Sequence, residues 1–161
     1  MKDKLKITIR RAEVGDKSAV MNLLKATAFF RADELPTAEE VFDDAATGAD
    51  PDYQSFVALD GDKPIGWVCF GDTPCTIGTF DVYWVAVDPE YQNCGIGRAL
   101  MQFSEDAIKA GGGRMIVVET SGNSHYISTR KFYEKIGFTV EACLKDFYTE
   151  GDDKIVYIKR V

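Results

Sequence analysis

Val85-Ala86-Val87-Asp88-Pro89-Glu90-Tyr91-Gln92-Asn93-Cys94-Gly95-Ile96-Gly97-Arg98-Ala99-Leu100 is the stretch that decides the fold. It begins as an apolar strand, turns at an Asp-Pro pair, and passes through a glycine-bearing segment into a helical pattern. The first amides of a helix have no partner within the helix and carry about half a positive charge. Because Gly95 and Gly97 have no side chain, an anion can lie directly on these N–H groups. The stretch therefore predicts a phosphate- or pyrophosphate-binding loop.

The spacing of the glycines distinguishes three kinds of phosphate loop. A Walker loop needs Gly-Lys-Ser/Thr, but Gly97 is followed by Arg and Ala. A dinucleotide fingerprint needs a third glycine where this chain has Leu100. What remains is Gln92-x-x-Gly95-x-Gly97 after a strand, which resembles the acetyl-CoA loop of the GNAT superfamily of acyl-CoA-dependent N-acyltransferases. The alternative is a β–α turn whose glycines serve packing alone.

The resemblance implies acetyl-CoA as co-substrate and no metal. Main-chain groups at the end of the strand would pair with the acetyl carbonyl and pantetheine, and those of the loop would hold the pyrophosphate. The residues assigned to acetyl-CoA in this way are Val85, Ala86, Val87, Gln92, Asn93, Cys94, Gly95, Ile96, Gly97, Arg98, Ala99 and Tyr126. Tyr126 is a departure, since the family usually carries Asn there; here the nearest is Asn123. Arg130 and Lys131 either meet phosphates or form a solvated helix face.

Hydrophobic periodicity outlines the remaining elements. It predicts strands near 5–12, 54–60, 63–71, 79–87, 115–118, 138–145 and 154–160. Helices are predicted after an Asp16 N-cap and over 37–47, 95–110 and 126–136, the last ending at Gly137 as a left-handed cap. A tight turn at 60–62 joins two strands, and a long loop joins the last two.

The GNAT resemblance covers nearly the whole chain and implies an α/β (α+β) fold. The expected architecture is a mixed, mostly antiparallel twisted sheet of about seven strands flanked by about four helices, in one domain over 1–161. In that family two parallel strands splay around the pantetheine, and here they would be 79–87 and 115–120.

Composition excludes several classes of function. The net charge of -7 argues against a nucleic-acid partner, which would need a basic face. No apolar run is long enough to span a membrane, and the first residues do not form a secretory signal, so the expected location is the cytoplasm. One histidine and four cysteines without a Cys-x-x-Cys pair predict neither a metal site nor a disulfide framework. Of these cysteines, Cys75 could accept an acyl group, although a small buried thiol is the better interpretation.

Two carboxylates are candidates for the general base. Asp81 lies on an apolar strand, where a carboxylate must be paired, solvated or functional. By resemblance it stands where many relatives carry a catalytic glutamate; the alternative is a bond to the turn at 75–78. Glu119 ends the other strand of the expected splay and is the second candidate, its alternative being a solvated strand end.

Tyr133 is the candidate general acid. Its segment, Phe132-Tyr133-Glu134-Lys135-Ile136-Gly137-Phe138, resembles the second family signature, in which a tyrosine hydroxyl lies beside the CoA sulfur. A phenol with a pKa near 10 can protonate a departing thiolate. The alternative is an aromatic residue on a core-facing helix stripe. By resemblance the transfer is direct, in a ternary complex, with no covalent enzyme intermediate.

The resemblance predicts an N-acetyltransferase whose acceptor is a small-molecule amine, an amino acid or a peptide N-terminus. A non-catalytic acyl-CoA-binding or regulatory module, and a protein N-terminal or lysine acetyltransferase, are the alternatives, and a homodimer is compatible with the family. Acidic residues in the regions that usually bind the acceptor would attract a cationic amine, or serve only solubility. They are Asp33, Glu34, Glu39, Glu40, Asp43, Asp44, Asp146, Glu150, Asp152 and Asp153.

Overall fold

The computed structural model describes residues 6–161. The strands are β1 (Ile7–Arg11), β2 (Tyr53–Asp60), β3 (Lys63–Asp72), β4 (Thr79–Val87), β5 (Met115–Ser121), β6 (Thr139–Thr149) and β7 (Asp152–Arg160). The helices are α1 (Lys17–Thr27), α2 (Leu35–Thr47), α3 (Ile96–Ala110) and α4 (Ile127–Lys135). The seven strands have the order β1-β2-β3-β4-β5-β7-β6. The predicted mixed, mostly antiparallel α/β class is confirmed.

The chain falls into two compact units. The first contains residues up to Gly71 and from Trp84 to Ser104, and the second contains Asp72–Tyr83 and Glu105–Val161. One boundary falls within β4 and another within α3. Among the described residues, no helix combines the length and apolar character needed to cross a bilayer.

The first unit is built around Trp67 of β3. Its ring is fully buried, lies 5.8 Å from the ring of Phe42 and 6.1 Å from that of Trp84, and its indole N–H donates to Ser55 Oγ at 2.9 Å. The amphipathic faces of α1 and α2 supply the other side of this core, as the helical spacing predicted. Its buried members are Ala12, Val20, Met21, Leu23, Leu24, Ala38, Phe42, Val57, Leu59, Trp67, Cys69 and Ala86.

Gly66 brings α3 close to the other face of the same strands. A Cβ at this glycine would lie 2.9 Å from Leu100 Cδ1 and 3.2 Å from Ile96 Cγ2, so a larger residue would require these side chains to shift. The helix start that follows the phosphate-type loop is thereby packed against β3.

The second unit is organised by β7, which pairs antiparallel with both β5 and β6. Parallel pairing of β4 with β5 covers Thr79 with Met115 through Asp81 with Val117, although both strands continue beyond these residues. The left-handed cap predicted at Gly137 is confirmed, with φ of 97°.

Asp16 holds the N-cap position of α1 as predicted, but its side chain does not cap the helix. Its backbone is itself helical (φ -81°, ψ -13°), and its side chain makes no cap bond to α1. The carboxylate instead accepts hydrogen bonds from Arg10 at 2.7 and 3.0 Å and from the Glu13 N–H at 2.8 Å. A short 3-10 turn before α1 displaces Asp16 from the geometry that a capping side chain needs.

The long loop predicted between the last two strands is also wrong. The strands extend to Thr149 and Asp152, which pair, leaving a two-residue turn in which Gly151 has φ of 81°. Within β6 the register shifts between Leu144 and Thr149, where the Asp146 carboxylate accepts from the Gly151 N–H at 2.7 Å. Side-chain carboxylates that bond the backbone give this acidic segment a strand structure that its composition does not suggest.

Candidate active site

The turn that leads into the loop is fixed by charged and polar contacts of the first unit. The Asp88 carboxylate accepts from the Glu90 N–H at 3.0 Å and lies 3.3 Å from Lys63 Nζ. Tyr91 donates its hydroxyl hydrogen to Asp60 at 3.0 Å, and Lys63 lies over the Tyr91 ring. These contacts anchor the chain just before residue 92.

The loop itself turns through two left-handed residues. Asn93 has φ of 62° and Gly95 has φ of 84°. The Gly95 carbonyl accepts the first helical hydrogen bond, from Ala99 N–H at 3.0 Å. By helix geometry, the N–H groups of Ile96 and Gly97 therefore have no acceptor within α3. The loop thus presents main-chain donors at the helix start.

The space around this loop fits a diphosphate. A Cβ built on Gly95 would meet no heavy atom within 4 Å, so the site above this backbone is open. Ile96 is 1% exposed and fixes the helix start to the core, whereas residues 92–95 are exposed. No acidic side chain occurs in 92–98, and Arg98 adds a positive charge. The donor set, the charge and the open space all suit the pyrophosphate of coenzyme A.

The end of β4 offers main-chain groups on one edge. The Ala86 carbonyl lies on the side of β3, near Gly66, and the Asp88 N–H donates to the Ile65 carbonyl at 2.9 Å. Since main-chain groups alternate between the two edges of a strand, those of Val85 and Val87 face the other edge. Gln92 ties the loop to this strand end, donating from Nε2 to the Val87 carbonyl at 3.3 Å.

Tyr133 is a buried residue of the second unit, only 6% exposed. Its ring lies 5.8 Å from that of Phe138 and 5.9 Å from that of Tyr157. Burial raises the pKa of the Tyr133 phenol above its ordinary value. The phenol therefore stays protonated at neutral pH, as a proton donor must.

Glu119 is a half-exposed carboxylate engaged by a lysine. Its side chain is 46% exposed, and Oε2 lies 2.6 Å from Lys154 Nζ. Lys154 Nζ also lies 4.2 Å from the centroid of the Phe147 ring. Sequence reasoning did not select Lys154 or Phe147, because a lysine after two aspartates resembles ordinary surface charge.

Asp81 is held within the second unit by a neutral donor. Thr73 donates its hydroxyl hydrogen to Asp81 Oδ2 at 2.7 Å, and the Thr73 N–H donates to the Thr79 carbonyl at 2.9 Å. The alternative to a catalytic role for Asp81 is a bond to the turn at 75–78. The observed partner, Thr73, lies just before that turn. The carboxylate thus has a structural bond of its own.

Arg130 ties together the chain between β5 and α4. Its guanidinium donates to the carbonyls of Ser121 and Asn123 at 2.8 and 2.9 Å. The Asn123 side chain accepts from the His125 N–H and donates to Asp152. Tyr126 precedes α4 and packs edge-on against the His125 ring. Arg130 therefore has a structural role, whereas the sequence suggested either phosphate contact or a solvated helix face. Lys131 is exposed.

The cysteines and acidic side chains have distinct surroundings. Among residues 6–161 no cluster of three or more His, Cys, Asp or Glu could hold a metal ion. Cys75 is exposed rather than buried, with φ of 63°. Burial raises the pKa of Cys69 to about 12. Several acidic residues form salt bridges within the chain. Glu39 and Asp43 pair with Lys17, and Asp153 pairs with Lys145.

Comparison with known proteins decides the family. The model of the acetyltransferase (GNAT) domain matches residues 51–140, which include the loop, Glu119 and Tyr133. The chain belongs to the GNAT family of acetyltransferases.

Two curated relatives are named as N-acetyltransferases. N-alpha-acetyltransferase 30 of Schizosaccharomyces pombe is 36% identical over 107 residues, covering 65% of this chain and 69% of that protein. The ribosomal protein bS18 alanine N-acetyltransferase of Escherichia coli is 25% identical over 124 residues, covering 77% of this chain and 78% of that enzyme.

Solved GNAT structures agree with the fold. A GNAT-family protein from Desulfovibrio desulfuricans has a TM-score of 0.92 at 40% identity, over 96% of this chain and 98% of that chain. GNAT members bind coenzyme A, and a structural neighbour was solved with it. Membership makes this chain an acyltransferase and confirms the family suggested by the Gln-x-x-Gly-x-Gly loop.

Proposed function

We propose that this protein transfers the acetyl group of acetyl-CoA to a primary amine, by direct attack in a ternary complex. The observation that carries the proposal is the loop at 92–97, where left-handed Asn93 and Gly95 expose the first-turn amides of α3. These amides, with Arg98, would hold the pyrophosphate, and Val85 and Val87 would offer main-chain groups to the pantetheine and acetyl carbonyl.

Among amines, we propose the amino terminus of a peptide or protein as acceptor. The support is that one relative is named as an N-alpha-acetyltransferase and another as an enzyme that acetylates an alanine of ribosomal protein bS18. Free amino acids and small amines present the same reacting group, so the chemistry of transfer is unchanged for them. A panel of acceptors separates these classes. It contains free amino acids, small amines, peptides with a free amino terminus, and N-blocked peptides with a lysine side chain.

The reaction needs two proton movements. The acceptor arrives mainly as an ammonium ion and must lose a proton before its nitrogen attacks the thioester carbon. As the N–C bond forms the C–S bond breaks, and the departing thiolate takes a proton. We assign this last proton to the Tyr133 hydroxyl, whose pKa is raised by burial.

For the amine proton we favour Glu119 over Asp81. Glu119 already contacts an ammonium group and is exposed enough to pass a proton to solvent, whereas Asp81 accepts a hydrogen bond from Thr73. A positioned base of this kind typically contributes about 10²–10⁴-fold in rate.

Gly95→Ala tests the proposed cradle, with Gly48→Ala as a matched control. Both glycines have positive φ, 84° and 74°, and at both a Cβ meets no atom within 4 Å. Each substitution should therefore destabilise the fold by a similar amount, about 1–2 kcal/mol. Only Gly95→Ala places a methyl group where the diphosphate would lie, so calorimetry should show CoA binding weakened at least about tenfold in this variant alone.

Equal CoA affinity in the two variants would contradict the cradle. The alternative, a binding module without turnover, is separated by thiol release from acetyl-CoA over the acceptor panel. If acetyl-CoA binds and no amine or peptide releases the thiol, the protein is a binding module. Release with peptides that have a free amino terminus, and not with N-blocked peptides that contain lysine, supports the proposed acceptor.

A further inference from the structure

Lys154, Glu119 and Phe147 form a compact cluster in the second unit. Lys154 Nζ is 2.6 Å from Glu119 Oε2 and 4.2 Å from the Phe147 ring centroid. In the register of β5 with β7, Ser121 faces Lys154 and Glu119 faces Val156, so Glu119 and Lys154 are diagonal neighbours on one face. We call these three residues the ammonium cluster.

The ammonium cluster has the chemistry that recognises an alkylammonium ion. A carboxylate neutralises the charge, and an aromatic face attracts a cation placed over it. The Lys154 side chain is itself a primary alkylammonium, the same chemical group as an acceptor amine before it loses its proton. The structure thus shows Glu119 and Phe147 binding an ammonium group that belongs to the chain.

The two groups that bind this ammonium are accessible, but the lysine is not. Glu119 is 46% exposed and Phe147 is 50% exposed, while the Lys154 side chain is 14% exposed. A flexible four-carbon stem carries the charge, so Nζ can leave this position while the backbone of β7 stays paired.

We propose that Glu119 and Phe147 form the subsite for the ammonium group of the acceptor, and that Lys154 occupies it as an internal competitor. This inference rests on the proposed function for the identity of the ligand. An acceptor must displace Lys154 Nζ from Glu119 before its own nitrogen can be deprotonated, so Lys154 limits acceptor affinity and selects acceptors able to displace it.

Binding of n-butylamine, as its ammonium ion at pH 7, tests the competitor without acetyl-CoA. Lys154→Met keeps the length of the side chain and removes the charge, so butylammonium should bind about fivefold more tightly by NMR titration. Lys154→Arg keeps a cation and should bind as the wild type does. Lys145 lies on the same hairpin and pairs with Asp153. Lys145→Met therefore removes one positive charge away from Glu119 and controls for the change in net charge.

The aromatic half of the cluster is tested in the same titration. Adding Phe147→Leu to Lys154→Met should weaken butylammonium binding about threefold relative to Lys154→Met alone. Unfolding temperatures of all variants establish that each is folded. Unchanged or weaker binding in Lys154→Met, or the same gain in Lys145→Met, would overturn the proposal.

Kinetics separate competition from positioning. With acetyl-CoA and a peptide acceptor, Lys154→Met should lower the acceptor KM about fivefold. A fall in kcat with KM unchanged would mean that Lys154 only orients Glu119, and would overturn the competitor. Tighter butylammonium binding without thiol release from any acceptor would instead sink the proposed function and leave the ammonium subsite standing.

Discussion

Tyr133 and Tyr157 offer a matched pair at the residue scale. Both rings are buried and lie 5.9 Å apart, but Tyr157 donates its hydroxyl hydrogen to Glu134 at 3.1 Å. Tyr133→Phe keeps the ring packing and removes the proposed acid, so kcat should fall about 10²–10⁴-fold. Tyr157→Phe should leave kcat within about twofold and cost about 1 kcal/mol of stability through its lost hydrogen bond.

Steady-state kinetics and thermal unfolding of both variants make this comparison. Because burial raises the Tyr133 pKa, loss of its proton falls well above neutral pH, and no activity decrease near pH 7 is expected from it. Equal kcat losses in the two variants would point to packing rather than to proton donation.

The two carboxylates are separated by their pH profiles. Glu119→Gln should lower kcat about 10²-fold or more and remove the acidic limb of the kcat/KM profile, since the amide cannot accept a proton. Asp81→Asn keeps an acceptor for the Thr73 hydroxyl and should change kcat less than about fivefold. An intact acidic limb in Glu119→Gln, together with its loss in Asp81→Asn, would return the role of base to Asp81.

At the element scale, the turn between α3 and β5 depends on Gly113. A Cβ there would lie 2.2 Å from Ile108 Cγ2 and 2.8 Å from the Ile108 carbonyl oxygen, in addition to 3.0 Å from Phe80. At Gly111 the nearest atoms are carbonyl oxygens at an ordinary 3.5 Å. We expect Gly113→Ala to cost about 2–4 kcal/mol and Gly111→Ala less than about 1 kcal/mol.

Urea unfolding of both variants measures these costs. Since the backbone oxygen of Ile108 cannot rotate away, relief would require α3 to shift from β4 and β5. A cost in Gly113→Ala no larger than in Gly111→Ala would show that the helix end relaxes freely.

At the scale of the whole molecule, acid sensitivity should come from carboxylates of both units. In the first, burial raises the pKa of Asp16, but hydrogen bonds from Arg10 and the Glu13 N–H lower it more. In the second, burial raises the pKa of Glu105, but hydrogen bonds from Lys109 and Lys159 at 2.7 and 2.5 Å lower it more.

Both net shifts are downward, which fixes the sign of the pH dependence. A carboxyl with a lowered pKa in the folded state stabilises the protein fully above its unfolded pKa, about 4, and loses this contribution as pH falls through the folded value. The unfolding free energy should therefore decline below about pH 4–5. Asp16→Asn and Glu105→Gln should each lose about 1–3 kcal/mol at pH 7 and show a shallower decline, by urea titrations at several pH values.

Stability that rises below pH 4 in the wild type would contradict this prediction. So would an undiminished slope in both variants, since acid sensitivity would then arise from other groups.

Much of the element order could be predicted because periodicity is local. The predicted strand 79–87 has the bounds of β4, and the predicted helix 95–110 begins one residue before α3. Alternating and helical patterns are strong in these two segments. The Asp16 side-chain cap and the long final loop are wrong predictions because the partners of Asp16 and Asp146 come close only after folding. Arg10 donates to the Asp16 carboxylate, the Gly151 N–H donates to the Asp146 carboxylate, and the Asp146 N–H donates to Asp153. In both cases a side chain that normally ends an element was bonded elsewhere.

The sequence by itself determined the phosphate-type loop, the Tyr133 segment and hence the family, because these depend on residue type at fixed short spacing. The tertiary structure alone decided the partners of the carboxylates. Glu119 meets Lys154, which lies 35 residues later, because β5 pairs with β7 in one particular register. No local pattern encodes such a contact, since long-range register is set by packing of whole elements.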